Sequence, residues 1–191
     1  NVVIPVCSLH RSYIQQCIHS IRTQTRIPDK IILVLNEYDK YNSEYETIMI
    51  NNSDCTFIKI NTWEKAGINR NIRSTECKDG IILYQDVDDI MHPQRIEILL
   101  KTFEDTDCDI ILHNYYENIE QFNRIENVNI RINQIIRYSS GCGVTHIDYK
   151  FKDDNIHHSQ SSVKTKIMEL VKYPEEKEYV GKEDSVFCNM V

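Results

Sequence analysis

No stretch of the 191-residue sequence approaches the roughly 20 consecutive apolar residues of a membrane-spanning helix, and no signal-peptide pattern is visible in it. A CxxC pair is also missing. The seven cysteines (Cys7, Cys17, Cys55, Cys77, Cys108, Cys142 and Cys188) are odd in number and scattered, which argues against a disulfide framework and against a zinc site. Reduced thiols and a cytoplasmic setting are the expectation. Positive charge is short too: 22 Lys and Arg stand against 29 Asp and Glu, a formal net charge of -7. A general nucleic-acid or anionic-membrane binder needs the opposite balance, to displace counterions from phosphate. Any phosphate ligand must therefore be held locally. The loop after the first apolar run, "VCSLHRSYI", contains no glycine, which excludes a Gly-rich phosphate cradle there. Internal repeats, low-complexity tracts and linkers are absent, so residues 1–191 read as one domain.

What is present fits a globular chain, at 41% hydrophobic and 27% charged residues. The sequence begins within "NVVIPV" and stops in mid-pattern at "SVFCNMV". A longer chain is expected, with room for a membrane anchor or acceptor domain beyond either end. Five short apolar runs, "VVIPV", "KIILVL", "TFIKI", "GIILYQ" and "DIILHN", have strand length and are apolar enough to be buried on both faces. Between the first two, Tyr13, Ile14, Cys17, Ile18 and Ile21 recur at helical spacing. After the fourth, Pro93 precedes Ile96, Leu99, Leu100 and Phe103. This βαβ alternation predicts an α/β fold with an open, mostly parallel sheet flanked by helices, whose ligands bind beyond the carboxyl ends of the strands. Past Tyr115 the regularity fades. "NVNIRINQI" alternates like a half-exposed strand, "SSGCGVTHID" is loop-like, and "SSVKTKIMELV" starts as a strand and continues as a helix.

At the predicted ligand edge stands "DVDD", with Asp86, Asp88 and Asp89 directly behind the fourth strand. Aspartates at i and i+2 can share one space if the backbone turns, and hard carboxylate oxygens suit Mg²⁺ or Mn²⁺ carrying a diphosphate. Taken alone, the same four residues read first as an acidic turn, with Asp89 capping the helix that starts near Pro93.

The ordered set "VVIPVCS", "YIQQCIHSIRTQT", "PDKIILVLNE", "NRNIRS", "DVDDIMHP" and "GKEDSVFC" resembles the family 2-like inverting glycosyltransferases of the GT-A fold. The resemblance runs along the whole chain, strongest before Arg95 and thin between Asn114 and Ser161. It implies a nucleotide-binding half over residues 1–115 and an acceptor-facing half over 116–191. The implied activity moves a hexosyl or N-acetylhexosaminyl group from a nucleotide-diphosphate donor, a UDP-sugar first among them. The acceptor would be a hydroxyl of a glycan, lipid-linked or protein substrate. It makes Asp88 the direct ligand of Mn²⁺ or Mg²⁺, with Asp86 between ribose and metal, and it places Arg70 near the nucleotide, where the alternative is a solvated helix Arg. Base contacts fall on Pro5, Val6 and Cys7 and on Asn36, Glu37 or Asp39. Here the sequence departs from the family: Cys7 stands where an aromatic would stack on the base, and "NEYD" replaces paired acidic residues.

An inverting transfer needs a carboxylate to take the acceptor's proton. By the resemblance that group is Asp184, with Glu183 its neighbour and rival; on residue pattern alone both acids favour a helix N-terminus. His157 or His158, in "NIHHSQSSVK", is a further candidate for the metal or phosphate, and Ser161 and Ser162 for the acceptor side. Trp63 follows the third strand, either in the core or supporting the nucleotide pocket. Two other activities compete. A sugar-phosphate nucleotidyltransferase would carry the glycine loop that is missing here, and a degenerate transferase would bind nucleotide sugar or glycan without turnover.

Overall fold

All five apolar runs form strands: β1 (Val2–Val6), β2 (Ile31–Leu35), β3 (Thr56–Lys59), β4 (Ile81–Tyr84) and β5 (Ile110–His113). The computed structural model describes residues 1–74, 77, 79–106, 108–113, 135–139, 143–145, 161–179 and 183–190. Both expected crossover helices are present, α1 (Ile14–Arg22) and α4 (Arg95–Asp105), joined by α2 (Asn42–Asn51) and α3 (Ala66–Ser74). Helix α4 starts two residues later than the Pro93 signal predicts. Gln94 holds its cap position without a side-chain bond, and the amide of Asp89 donates instead to the Asp86 carbonyl at 3.1 Å. Asp89 therefore closes a turn and does not cap the helix.

Strands β1 and β2 are buried at every position. Alternate side chains enter opposite layers, as the pleat requires. Val2, Ile4 and Val6 pack with Leu33, Leu35 and the apolar faces of α1 and α4. Val3, Ile32, Ile82 and Tyr84 pack on the other side with Met168, Tyr173 and Phe187. A sheet covered on both faces demands unbroken apolar runs, which is why these strands were visible in the sequence.

The late segments complete the sheet. The stretch from Ser161 behaves as predicted, a strand β8 (Ser161–Lys164) continuing into helix α5 (Thr165–Leu170), and α6 (Glu183–Met190) comes after it. Strands β6 (Ile135–Ser139) and β7 (Gly143–Thr145) lie between. The second is a correction, since that stretch read as loop; three residues are too few to display a period. Of the predicted strand at 127–135, only Ile135 falls within the described residues, where it opens β6.

The strand order is β3-β2-β1-β4-β8-β5-β6-β7. Pairing is parallel from β3 through β4 and antiparallel thereafter, and six of the eight described strands run one way, with β8 and β6 opposed. A simple βαβ unit would seat β5 beside β4. Strand β8 takes that place, with Ile81 opposite Lys164 on one side and Ile110 opposite Val163 on the other. Ser161 and Ser162 are consequently buried within the sheet and do not line a surface. The six described cysteines other than Cys142 are free thiols. No described helix is long and apolar enough to cross a membrane.

Candidate active site

The carboxyl ends of β1, β2 and β4 open on one edge, which carries Cys7 and Ser8, Asn36 and Glu37, and the turn from Gln85 to Asp89. Helix α3 brings Arg70 to it from behind. This Arg is completely enclosed. Its Nη2 donates to Asp86 Oδ1 at 3.1 Å and its Nη1 to Asp184 Oδ1 at 3.4 Å. The guanidinium carbon lies 5.6 Å from the Tyr84 ring centroid and 5.3 Å from that of Tyr173, within cation–π range. Burial pulls the Arg70 pKa down, but the Asp184 and Asp86 carboxylates outweigh it and leave the group above its ordinary value. Arg70 is thus no solvated helix residue. It joins the strand-end aspartate to the acid near the end of the chain.

Asp184 reaches Arg70 through a packed block. Asn71 donates to the Tyr173 carbonyl and to Glu175 Oε1, both at 2.9 Å, and its Oδ1 accepts from the Tyr173 amide at 2.8 Å. The Tyr173 ring stacks on Phe187 of α6 with centroids 4.1 Å apart. Gly67 allows α3 to come this close, since a Cβ there would meet Tyr173 Cβ at 3.3 Å and Glu183 Cγ at 3.6 Å. Glu183 and Asp184 are both buried in the first turn of α6.

The backbone ahead of Asp86 is fixed by a second buried Arg. Arg95 donates from Nη2 to the Tyr84 carbonyl at 2.9 Å, from Nη1 to Gln85 Oε1 at 2.7 Å and from Nε to His113 Nε2 at 2.8 Å. Burial pushes its guanidinium down to about 10, against the pull of Asp89 and Asp86. Beyond this anchor the turn emerges into solvent: the Asp86 side chain is 27% exposed and that of Asp88 44%. Asp88 Oδ2 lies 3.4 Å from Nδ1 of His10, in the 3-10 turn Ser8–Tyr13.

Mg²⁺ and Mn²⁺ need hard oxygen donors, commonly one or two carboxylates with substrate phosphate and water completing the shell. Among the described residues no three ligating side chains converge, so an all-protein cage is not formed by them. The solvent-facing carboxylates of Asp86 and Asp88 suit the other arrangement, in which they would supply one or two hard oxygens to such an ion. His157 and His158 lie outside the described residues.

At the ends of β1 and β2, Pro5 and Val6 pair with Val34 and Leu35 inside the sheet. Their side chains serve the core, and Cys7 is the first half-buried residue beyond them. Asn36 is buried, its amide donating to the Val6 carbonyl at 3.3 Å and its Nδ2 to the Glu64 carbonyl at 2.8 Å. Glu37 adopts a left-handed backbone at φ 50°, a conformation that costs a non-glycine residue about 1 kcal/mol or more unless its surroundings enforce it. They do so here: the Glu37 amide donates to Thr62 O at 3.2 Å, and its carboxylate accepts from Ser8 Oγ and, at 2.9 Å, from Lys40 Nζ. The Ser8 bond, then Lys40, hold this carboxyl below the usual range. Asp39 is exposed in the next turn, Tyr38–Tyr41. Trp63, for which the core was one expectation, is 58% exposed.

Arg95, Asn71 and Tyr173 escaped the sequence reading. Arg95 had a signal, a basic residue in the first turn of a helix where acids are favoured; Asn71 stands in the quoted "NRNIRS" with no role drawn from it, and Tyr173 had none.

No match is found among curated protein sequences. Solved structures do match. S. aureus TarS 1-349 in complex with UDP shares 16% identity at a TM-score of 0.64, over 97% of this chain and 52% of that one. The same protein in complex with UDP-GlcNAc gives 15% and 0.64, over 98% and 53%. The mannosyltransferase PcManGT from Pyrobaculum calidifontis, in complex with GDP-Man and Mn²⁺, gives 14% and 0.64, over 99% and 50%. At such identities the likeness is one of fold, the GT-A glycosyltransferase fold, and the chain spans about half the length of these structures. The sequence itself decides the family: residues 1–168 match the glycosyl transferase family 2 model, and the chain belongs to that family.

Proposed function

We propose that this chain transfers a sugar, with inversion, from a nucleotide-diphosphate donor, a UDP-sugar first among candidates, to a hydroxyl of a glycan, lipid-linked or protein acceptor. The observation that carries the reading is Arg70, whose one guanidinium binds both Asp86, at the donor edge, and Asp184. A buried carboxylate tends to the neutral acid unless a charge opposes desolvation. Arg70 supplies such a charge beside Asp184, at 3.4 Å, as an ionised base requires. In the transfer, the acceptor oxygen bonds to the anomeric carbon as the bond to the diphosphate breaks on the opposite face. The acceptor's proton passes to Asp184, and the electron pair leaves with the phosphate. Glu183, the neighbouring acid, packs its Cγ toward Gly67 and takes the supporting place. Asp88 with Asp86 would hold Mn²⁺ or Mg²⁺, and the ion when bound supplies Lewis-acid stabilisation of the departing diphosphate.

A panel of nucleotide sugars incubated with Mn²⁺ and followed for free nucleoside diphosphate tests the reading. Release from none of them, with or without acceptors, would count against it. One observation favours the non-catalytic binding module instead: Cys7 offers no ring to a base. That module would bind donor in calorimetry yet never turn it over.

The carboxylates make a sharper demand. With a net charge of -7, the protein brings anions to an anion unless a cation intervenes. UDP should bind at least ~10-fold more tightly with Mn²⁺ than in chelator, about 1.4 kcal/mol, and Asp88→Ala should abolish most of the difference. Equal affinity in the unaltered domain under both conditions would return "DVDD" to an acidic turn.

A further inference from the structure

We infer that Trp63 is the surface on which the donor's nucleobase stacks, so that the ring missing at Cys7 is supplied from the end of β3. The inference rests on the nucleotide-sugar reading and adds which side chain meets the base. Trp63 is the sole tryptophan of the chain and belongs to neither core, with 58% of its surface exposed. A solitary exposed aromatic is ordinary on a protein surface. This one is distinguished by how its backbone is held. On one side the Thr62 carbonyl accepts from the Glu37 amide at 3.2 Å. On the other the Glu64 carbonyl accepts from Asn36 Nδ2 at 2.8 Å and from Asn69 Nδ2 at 3.4 Å.

Asn36 in turn donates its amide to the Val6 carbonyl at 3.3 Å, immediately before Cys7. A single run of hydrogen bonds therefore ties the end of β1, the end of β2 and the connection from β3 to α3, with Trp63 fixed at its outer end. The same junction holds buried polar atoms that have no partner among the described residues, Asn36 Oδ1, Asn69 Oδ1 and Lys65 Nζ. Buried polar atoms without partners are uncommon, and these mark the junction as one the fold does not fully satisfy. An indole stacks on any base, because every base has a π-face. The ring position can therefore move from β1 to β3 while the phosphate site stays with Asp86 and Asp88.

Because Trp63 is the only tryptophan, selectively excited indole emission reports this residue alone. UDP with Mn²⁺ should quench it saturably, as should GDP, whereas inorganic pyrophosphate with Mn²⁺ should bind and compete without quenching. Trp63→Ala should weaken UDP binding in calorimetry by about 10-fold or more, the usual loss for one base–aromatic stack. Pyrophosphate affinity should be unchanged, and Trp63→Phe should restore most of the UDP affinity. UDP that binds without altering emission, and with equal affinity in Trp63→Ala, overturns the inference and leaves the nucleotide-sugar reading standing. Parallel losses of UDP and pyrophosphate in Trp63→Ala also overturn it, by showing a merely structural role. Failure of UDP, GDP and pyrophosphate alike to bind the unaltered domain removes the nucleotide-sugar reading and the inference together.

Discussion

Replacing Arg70 with Met will destabilise the protein by about 3–5 kcal/mol, the usual consequence of taking one partner from a buried ion pair and stranding the other. For a domain of this size the melting temperature should fall by roughly 10 °C. Met keeps much of the apolar stem that carries the guanidinium to the Tyr84 and Tyr173 rings, so the loss isolates the charge. The more deeply buried of its two partners is Asp184, whose side chain is 7% exposed, against 27% for Asp86. Adding Asp184→Asn to Arg70→Met should therefore recover part of the loss, although Asp184→Asn alone should not stabilise. The double-mutant cycle in chemical denaturation measures that coupling. A loss for Arg70→Met within the ~0.5 kcal/mol typical of surface substitutions would mean that the two aspartates need no shared cation.

The second large effect is on rate. Asp184→Asn preserves shape but removes the basic carboxylate, so transfer under saturating donor should fall by ~10²- to 10⁴-fold while donor affinity in the presence of Mn²⁺ persists. Asp88→Ala should depress affinity and transfer together, since the group that holds the phosphate also assists its departure. Glu183→Gln is the control for the neighbouring acid. Transfer at the unaltered rate in Asp184→Asn, with loss in Glu183→Gln, would reassign the base by one residue.

The fold was legible where physics acts locally. Strands β1 and β2 announced themselves because both faces are covered, and α1 because Ile14, Cys17, Ile18 and Ile21 fall on one buried side. The place of β8 was not legible, because strand order is a property of pairing between distant residues and leaves no local period. The same limit governs the site. The motifs pointed to Asp86, Arg70 and Asp184, but that one guanidinium joins the first to the last is a fact of three dimensions. Among the candidates of "NEYD", the turn decides: the left-handed backbone at Glu37 puts its carboxylate against Ser8, while Asp39 stays exposed. Trp63 misled because tryptophan is more often buried than not, and only the bonds of Thr62 and Glu64 show why it stands outside.

Strand β8 also governs how the chain must assemble. Both of its edges are occupied, by β4 and by β5, so these two strands meet only through a segment dozens of residues further along the chain. Before it docks, each presents a row of unpaired amides and carbonyls, the template on which chains associate with one another. Contacts so distant along the chain also form slowly. The segment of residues 1–115, expected from the sequence to be the nucleotide-binding half, is therefore interlocked with the strand at Ser161–Lys164 and should not fold when excised as a module. A version ending before Ser161 should elute as aggregate in size-exclusion chromatography, whereas one that elutes as a folded monomer would show that the sheet closes without its keystone.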